Sequence, residues 1–190
     1  MKKVIYLALL GVAFSQLHGC AAVVVGGAAV GASMATDRRG VGVYVVDQEI
    51  ESRASYNLTE AFKDKPVRFD VTSFNRQVLI LGQVADEESR VRAGEIVKAV
   101  PEVRNVFNEL TISGLPSLTS ITNDGTISST VKTRLWGDDR TPGTKIKVKT
   151  EGGIVYLMGL VTKAEADAAA ELASTTKGVT KVVKLFEYID

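Results

Sequence analysis

The sequence contains few of the side chains that most enzymes use for catalysis. Among its 190 residues there is one cysteine, Cys20, one histidine, His18, and one tryptophan. General bases of the histidine type, thiolate nucleophiles and the nitrogen or sulfur ligands of metal ions are therefore scarce. One cysteine also excludes a disulfide within the chain. We expect no catalytic residue, no metal site and no cofactor apart from a covalent modification, and a fold that is stabilised by its apolar core.

A large excess of charge of one sign is also missing. The 23 Lys and Arg residues almost balance the 22 Asp and Glu residues. Loss of residues 1–19, which include two lysines, would leave a net charge of −1. Because no global field attracts nucleic acid, we expect no nucleic-acid partner, and any anionic partner must be recognised by a local patch.

The first 20 residues have the pattern of an export signal. Residues 1–3 carry two lysines, and residues 4–17 form an apolar run that is too short for a stable membrane span. The sequence Leu17-His18-Gly19-Cys20 resembles the lipobox of bacterial lipoprotein precursors. We predict a signal peptide at 1–19, with diacylglycerol and an N-acyl chain on Cys20. The alternative is a transmembrane anchor that continues to residue 30, although Gly and Ala dilute that run.

Residues 20–46 are predicted to form a lipidated N-terminus and a flexible tether. The segment is rich in Ala, Val and Gly and has no charged side chain before Asp37. As a coil it would have an end-to-end distance of about 30 Å. The residue after Cys20 is Ala21 rather than Asp, and the resemblance to bacterial lipoproteins then implies delivery to the periplasmic side of the outer membrane.

The remainder of the chain contains an internal repeat. Residues 47–58 resemble residues 124–135, and residues 78–84 resemble residues 155–161, both at an offset of 77 positions. Chance similarity would not hold the same register through both blocks. We infer two copies of one module.

Each copy has the pattern of an α-β-β-α-β unit. Apolar residues spaced by four open the copies: Ile50, Ala54 and Leu58 in the first, and Ile127, Val131 and Leu135 in the second. They predict an amphipathic helix. An alternating strand, a polar turn and a strand that is apolar on both faces follow, which predicts a hairpin with a buried central strand. Thr162 and Glu165 form a capping-box motif for the second helix, and Asp86 can cap its equivalent. A last strand completes each unit.

These patterns predict an α+β fold of two tandem domains, each with two helices on a small three-stranded mixed sheet. The domains cover residues 47–112 and 124–190, and residues 113–123 form the linker. The central strands, which end in Leu81-Gly82-Gln83-Val84 and Leu157-Met158-Gly159-Leu160-Val161, resemble those of the BON domain. With its lipobox, the whole chain resembles the family of dual BON-domain outer-membrane lipoproteins. The resemblance implies an envelope-integrity role, phospholipid binding through the second domain, and enrichment at division sites.

A candidate lipid-contact face lies on the first helix of the second copy. At 100° per residue, Lys132 and Trp136 lie opposite the apolar stripe, together with small hydroxyl residues. The ring suits the headgroup boundary of a bilayer and the ammonium suits phosphate, while hydroxyls can donate to ester or phosphate oxygens. Arg134 borders the stripe and is placed to reach the rim. The predicted contacts with an anionic phospholipid membrane are Lys132, Trp136, Ser129, Thr133 and Arg134.

The first copy provides an internal comparison. The position equivalent to Trp136 is Thr59, and the position equivalent to Lys132 is Ser55. Residues 47–112 have a net charge of −3, with 9 basic and 12 acidic side chains, whereas residues 124–190 have a net charge of +1, with 10 and 9. Anionic lipid should therefore be repelled by the first domain and accepted only by the second.

Three alternatives are open. Trp136 could instead pack against the other domain, which would leave Lys132 merely solvated. Lys145, Lys147 and Lys149 alternate along one strand, which favours a solvated sheet face, or an anionic partner at that face. The whole protein could be a protein–protein or ring-building adaptor that binds envelope proteins, because fold alone does not decide function.

We predict that Cys20→Ser prevents acylation and leaves a soluble or inner-membrane-retained precursor in which both domains still fold. The modification depends on the thiol, whereas the folded units begin well after it. Mass spectrometry of the mature wild-type N-terminus should show acyl chains on Cys20. An unmodified mature terminus would contradict the lipidation site.

Overall fold

The computed structural model describes Arg38 and residues 40–190, and its first domain contains two helices and a mixed sheet. Its elements are α1 (Val41–Ala61), β1 (Arg68–Phe74), β2 (Gln77–Val84), α2 (Glu87–Lys98), β3 (Asn105–Asn108) and β4 (Thr111–Ile112). β1 pairs with β2 in antiparallel orientation, and both β3 and β4 pair with β2 in parallel orientation. The predicted last strand is therefore present but divided in two.

The second domain repeats this arrangement with an unbroken last strand. Its elements are α3 (Leu118–Trp136), β5 (Ile146–Glu151), β6 (Ile154–Val161), α4 (Lys163–Ser174) and β7 (Lys181–Tyr188), with a short 3-10 helix at Gly143–Lys145. The strand order is β5-β6-β7, with β6 central, antiparallel to β5 and parallel to β7. The predicted α+β fold is confirmed. The Thr162 and Glu165 capping box and the Asp86 cap both form.

One buried carboxylate in each domain holds the hairpin turn. Asp47, fully buried on α1, accepts hydrogen bonds from the backbone N–H groups of Asn75 and Arg76 at 2.8 and 2.7 Å. Asp124 on α3 accepts from the N–H groups of Gly152 and Gly153 at 2.8 and 2.9 Å. All four turn residues have positive φ, between 50° and 77°, as expected for the central positions of a type I′ turn. The repeat therefore preserves a contact between the first helix and the hairpin.

The two sheets pack against each other through the faces that their helices do not cover. Within each central strand, alternate side chains enter the core of their own domain, and the others enter a third cluster shared by both domains. The buried members of this shared cluster are Phe74, Leu79, Leu81, Tyr156 and Met158. β2 and β6 are apolar on both faces because one face meets helices and the other meets the opposite sheet. Burial raises the pKa of the Tyr156 hydroxyl well above its usual value, and the nearby Glu109 carboxylate adds to this effect.

Polar pairs join the two domains beside the shared apolar cluster. Lys147 lies 2.7 Å from Glu51, Lys149 lies 2.8 Å from Asp70, and Arg68 lies 2.8 Å from Glu151. The interpretation of the lysine strand as a solvated face is thus wrong for Lys147 and Lys149, because acidic side chains of the first domain oppose them. We call this boundary of ion pairs and apolar side chains the domain seam.

Two predicted irregular segments are partly helical. α1 begins at Val41, so residues 41–46 belong to a helix rather than to the tether; Val46 packs against the core of the first domain. α3 begins at Leu118, so residues 118–123 belong to a helix rather than to the linker. The Ser117 side chain accepts a hydrogen bond from the Ser120 N–H and caps this helix, so a serine that suggested a turn is an N-cap. The signal peptide, Cys20 and the tether before Arg38 lie outside the described residues.

We predict that Leu79→Ala in the first domain also destabilises the second. Leu79 is fully buried in the shared cluster, and truncation of a buried leucine costs about 2–5 kcal/mol. The fluorescence of Trp136, the only tryptophan, reports on the second domain during urea denaturation and should show a lower midpoint.

The matched control is Val91→Ala, at a side chain that is 50% exposed. This substitution should change the unfolding midpoint little, whether it is measured by tryptophan fluorescence or by circular dichroism. A fall in the midpoint from circular dichroism without a fall in the tryptophan signal would show that the domains unfold independently.

Candidate functional site

α3 separates a core face from an exposed face. Ile127, Val131 and Leu135 lie in the core, with exposed fractions of 3%, 0% and 0%. Lys132 is exposed on the opposite side, and Trp136 keeps 66% of its surface accessible to solvent. The alternative in which Trp136 is buried against the other domain is therefore not what the structure shows.

The two predicted hydroxyl contacts, Ser129 and Thr133, bond to the helix backbone. Ser129 Oγ donates to the Gly125 carbonyl at 2.9 Å, and Thr133 Oγ1 donates to the Ser129 carbonyl at 3.0 Å. Because each hydroxyl has one proton, neither has a donor left for phosphate in this conformation. Ser129 and Thr133 therefore provide small polar side chains beside Lys132. They do not provide the additional hydrogen-bond donors to lipid oxygens that the sequence suggested.

The indole of Trp136 lies directly on a glycine. A Cβ atom at Gly143 would lie 2.6 Å from Trp136 Cδ1 and 2.4 Å from the Leu135 carbonyl oxygen. A side chain at this position would displace the ring or the end of the helix. The glycine therefore lets the large exposed ring of Trp136 keep contact with the domain surface. Because this contact already restricts the ring, the Trp136 side chain loses less conformational entropy when it binds a partner.

Lys132 stands between two depressions along the domain seam. The first, of about 440 Å³, is also lined by Trp136, Thr144 and Lys147 and, across the seam, by Glu51. The second, of about 350 Å³, includes Arg68, Asp70, Ser128 and Ser129. Within the described part of the chain Lys132 forms no ion pair, whereas Lys147 does. Its ammonium group is thus the cation of this face that is available to an anion.

Arg134 is committed elsewhere and does not belong to the exposed face. Its guanidinium donates to the Leu172 carbonyl at 2.7 Å, to Thr176 Oγ1 at 2.8 Å and to Thr175 Oγ1 at 3.0 Å. A cation that binds the last carbonyls of a helix stabilises that helix end. Arg134 thus joins α3 to the end of α4, and these contacts do not favour the predicted contact of Arg134 with lipid.

An ion pair follows directly after Trp136. Hydrogen bonds from the Arg140 guanidinium hold the pKa of Asp138 at about 2, and the closest side-chain atoms of the pair are 2.9 Å apart. The carboxylate therefore remains ionised at neutral pH, but the adjacent cation offsets its charge. This acid presents little net repulsion to an anionic surface near the ring.

The sequence analysis missed two exposed apolar residues at the start of α3. Leu118 is 83% exposed and Ile121 is 39% exposed, and both fall on the same side of the helix as Trp136 at 100° per residue. They lie in the predicted linker, where no helical spacing is expected. The N-cap serine followed by apolar residues three apart was the signal that could have placed them.

Neither a metal centre nor a membrane-spanning helix is present in the part of the chain that the structure describes. No cluster of three or more Cys, His, Asp and Glu side chains suitable for a metal ion occurs there. No helix in the same part is both long enough and apolar enough to cross a bilayer.

The fold and the repeat define the class of protein. The BON domain model matches residues 46–114 and again residues 123–190. The chain therefore belongs to the BON-domain family, and it carries two copies of the domain.

Relatives narrow this class to outer-membrane lipoproteins. The chain is 39% identical over 188 residues to the outer membrane lipoprotein DolP of Haemophilus influenzae, covering 97% of this chain and 96% of that protein. It is 32% identical over 154 residues to a 21 kDa hemolysin of Actinobacillus pleuropneumoniae, covering 80% and 79%. The solved C-terminal domain of CdsD from Chlamydia trachomatis aligns with a TM-score of 0.31 at 13% identity, over 71% of this chain and 96% of that one. The similarity to the outer membrane lipoprotein DolP confirms the predicted location at the outer membrane.

We predict that Arg134→Met lowers stability without weakening lipid binding. The change removes three hydrogen bonds from a charged donor to α4 and the residues after it, and should cost about 1.5–3 kcal/mol. Lys132→Met is the reciprocal control, because it removes an unpaired surface cation and should leave the melting temperature nearly unchanged. Thermal denaturation and vesicle binding measured on both variants should give opposite results. Loss of binding by a folded Arg134→Met protein would restore Arg134 to the contact face.

Proposed function

We propose that this outer-membrane lipoprotein binds anionic phospholipid through the exposed face of α3 in its second BON domain. Lys132 and Trp136 make the principal contacts, and Ser129 and Thr133 border them. The observation that carries the proposal is an exposed tryptophan, in contact with Gly143, one helical turn from a lysine that forms no ion pair among the described residues. An amphipathic ring and a cation on one helix face suit the boundary between lipid headgroups and acyl chains.

Stable membrane binding requires the contacts of both Trp136 and Lys132 and, in addition, the lipid anchor. Burying half of an indole of about 200 Å² contributes about 2.5 kcal/mol at about 25 cal/mol per Å². One lysine near an anionic surface contributes about 1 kcal/mol and is screened by salt. These two contributions give weak binding in isolation. Acylation at Cys20, which we also propose, makes such a weak contact effective by raising its local concentration.

The proposed cellular role depends on contact between the exposed face of α3 and the membrane. We propose that the protein supports envelope integrity by a non-catalytic binding activity and that it acts at division sites. A ring-building adaptor is less well supported, because the apolar sheet faces that could join neighbouring copies cover each other within one chain. Sedimentation of the unlipidated protein with and without anionic vesicles separates the two functions.

We predict that Trp136→Glu lowers affinity for phosphatidylglycerol vesicles by more than tenfold without lowering the melting temperature. The side chain is two-thirds exposed, so the substitution removes lipid contact but little packing. Binding is measured by vesicle sedimentation, and in the wild type by the blue shift of tryptophan emission. Thr59→Glu, at the equivalent exposed position of the first domain, is the matched control and should bind normally.

Lys132→Glu supplies a second arm of this experiment. Reversing one charge should weaken binding by about 2 kcal/mol at low ionic strength, and by progressively less as salt is added. A folded Trp136→Glu protein that binds anionic vesicles as well as the wild type would refute the contact face. The fold and the family membership would be unaffected.

A further inference from the structure

Arg38 fixes the chain ahead of α1 to the second domain. Its guanidinium makes a two-pronged contact with the Glu165 carboxylate, with both hydrogen bonds at 2.7 Å, and donates to the Leu160 carbonyl at 2.9 Å. The side chains of Arg38 and Glu165 are only 26% and 20% exposed. The helix that follows belongs to the first domain, whereas Arg38 itself is bound to the second domain.

The pair is stable at neutral pH. Hydrogen bonds from Arg38 lower the pKa of Glu165 to about 2. A lowered carboxyl pKa means that the contribution of the pair is present above the ordinary value and is lost only as the pH falls toward 2. Glu165 is also held by the capping box of α4, so Arg38 binds to a rigid element.

Trp136 and this contact lie at the same end of the second domain. The sheet row Ile146, Gly159 and Phe186 marks that end. Gly143, beneath Trp136, lies just before β5, and Leu160, which binds Arg38, follows Gly159 in β6. We call the end of the domain that carries Arg38, Trp136 and Leu160 the anchor end.

Two further apolar side chains are exposed at the anchor end. Tyr188 is 48% exposed and Ile189 is 52% exposed. Tyr188 is paired in register with Val161, and the Ile189 N–H donates to the Val161 carbonyl at 3.2 Å. Nearby charged side chains are of both signs. Lys163 lies beside Asp190, whose carboxylate accepts a hydrogen bond from the Lys163 backbone N–H at 3.0 Å, and Asp138 is paired with Arg140. Contact here would depend on apolar burial rather than on attraction to anionic lipid.

We propose that the anchor end is the part of the molecule that meets the bilayer, with Tyr188 and Ile189 contacting lipid beside Trp136. This inference rests on the proposed function, since it assumes that Trp136 touches lipid. Tyrosine combines an apolar body with a polar tip, which suits the headgroup level. The contact goes beyond α3, to a surface formed by the last strand of the second domain.

The position at which the tether departs favours this end over the other. Arg38 lies 18 positions after Cys20, the proposed acylation site. Leu118 lies about 27 Å from Trp136 along α3. Surfaces next to Arg38 therefore meet the membrane at a higher effective concentration than Leu118 and Ile121 do.

The test compares two pairs of exposed apolar residues in the full lipidated protein. Tyr188→Thr with Ile189→Thr keeps strand propensity, and Leu118→Gln with Ile121→Gln keeps helix propensity. Each protein is reconstituted in phosphatidylethanolamine–phosphatidylglycerol vesicles, and quenching of Trp136 by spin-labelled lipid is measured. The first pair should reduce quenching at least twofold at both low and high salt, and the second pair should leave it unchanged. An equal or larger loss in the Leu118 and Ile121 protein would overturn the inference.

A pair of substitutions at Arg38 tests the role of its contact with Glu165 and leaves the capping box of α4 intact. Arg38→Glu should reduce quenching of Trp136 because it places two carboxylates together, whereas Arg38→Lys, which keeps a cation opposite Glu165, should retain most of the quenching. Unchanged quenching in Arg38→Glu would overturn the anchor-end orientation. Absence of lipid quenching in the wild type would instead refute the proposed function itself, so the two failures are distinguishable.

Discussion

The contact between the uncovered faces of the two sheets determines the rest of this structure. A small three-stranded sheet with helices on one side leaves its other face to solvent, and here that face is apolar in both copies. Leu79 and Leu81 on β2, and Tyr156 and Met158 on β6, are almost completely buried only because the sheets oppose each other. At about 25 cal/mol per Å² of apolar surface removed from water, this burial contributes more than any other interaction to holding the domains together. The ion pairs at the domain seam help to fix the register and the orientation of one sheet relative to the other.

The domain seam also determines which surfaces are free. Lys147 and Lys149 are satisfied by acids of the first domain, so they do not contribute net positive charge to the surface. Lys132 lies on α3 rather than on the sheet, and no carboxylate of the described residues forms an ion pair with it. The Lys132 ammonium group and the exposed indole of Trp136 therefore define a local patch on a protein whose total charge is almost zero. The asymmetry between the copies is produced by a few substitutions on a shared scaffold.

Sequence periodicity was sufficient for the fold but not for all of the site. The repeat at 77 positions and the doubly apolar central strands predicted both domains. The spacing of Ile127, Val131 and Leu135 placed Trp136 opposite the core stripe, but it left open whether the other domain covers the ring. The partner of Arg134 could not be predicted, because it depends on where α4 ends in space. The covering of Lys147 and Lys149 depends on domain packing, to which no local pattern refers. The early start of α3 was hidden by hydroxyl residues that bond within the helix, as Thr122 does to the Leu118 carbonyl, although the same residues are common in turns.

The shared apolar cluster has a consequence for the order of events during export. In a chain that emerges with its N-terminal end first, the first domain is available for folding before the second. Val183 and Leu185, which pack against the shared cluster, lie on β7, the last strand. The first domain can form its own core early, but its second face is not fully covered until both β6 and β7 have been translocated. During that interval a sheet with an apolar face and open edges is exposed in the periplasm, which is the kind of surface that holding chaperones bind and that otherwise aggregates.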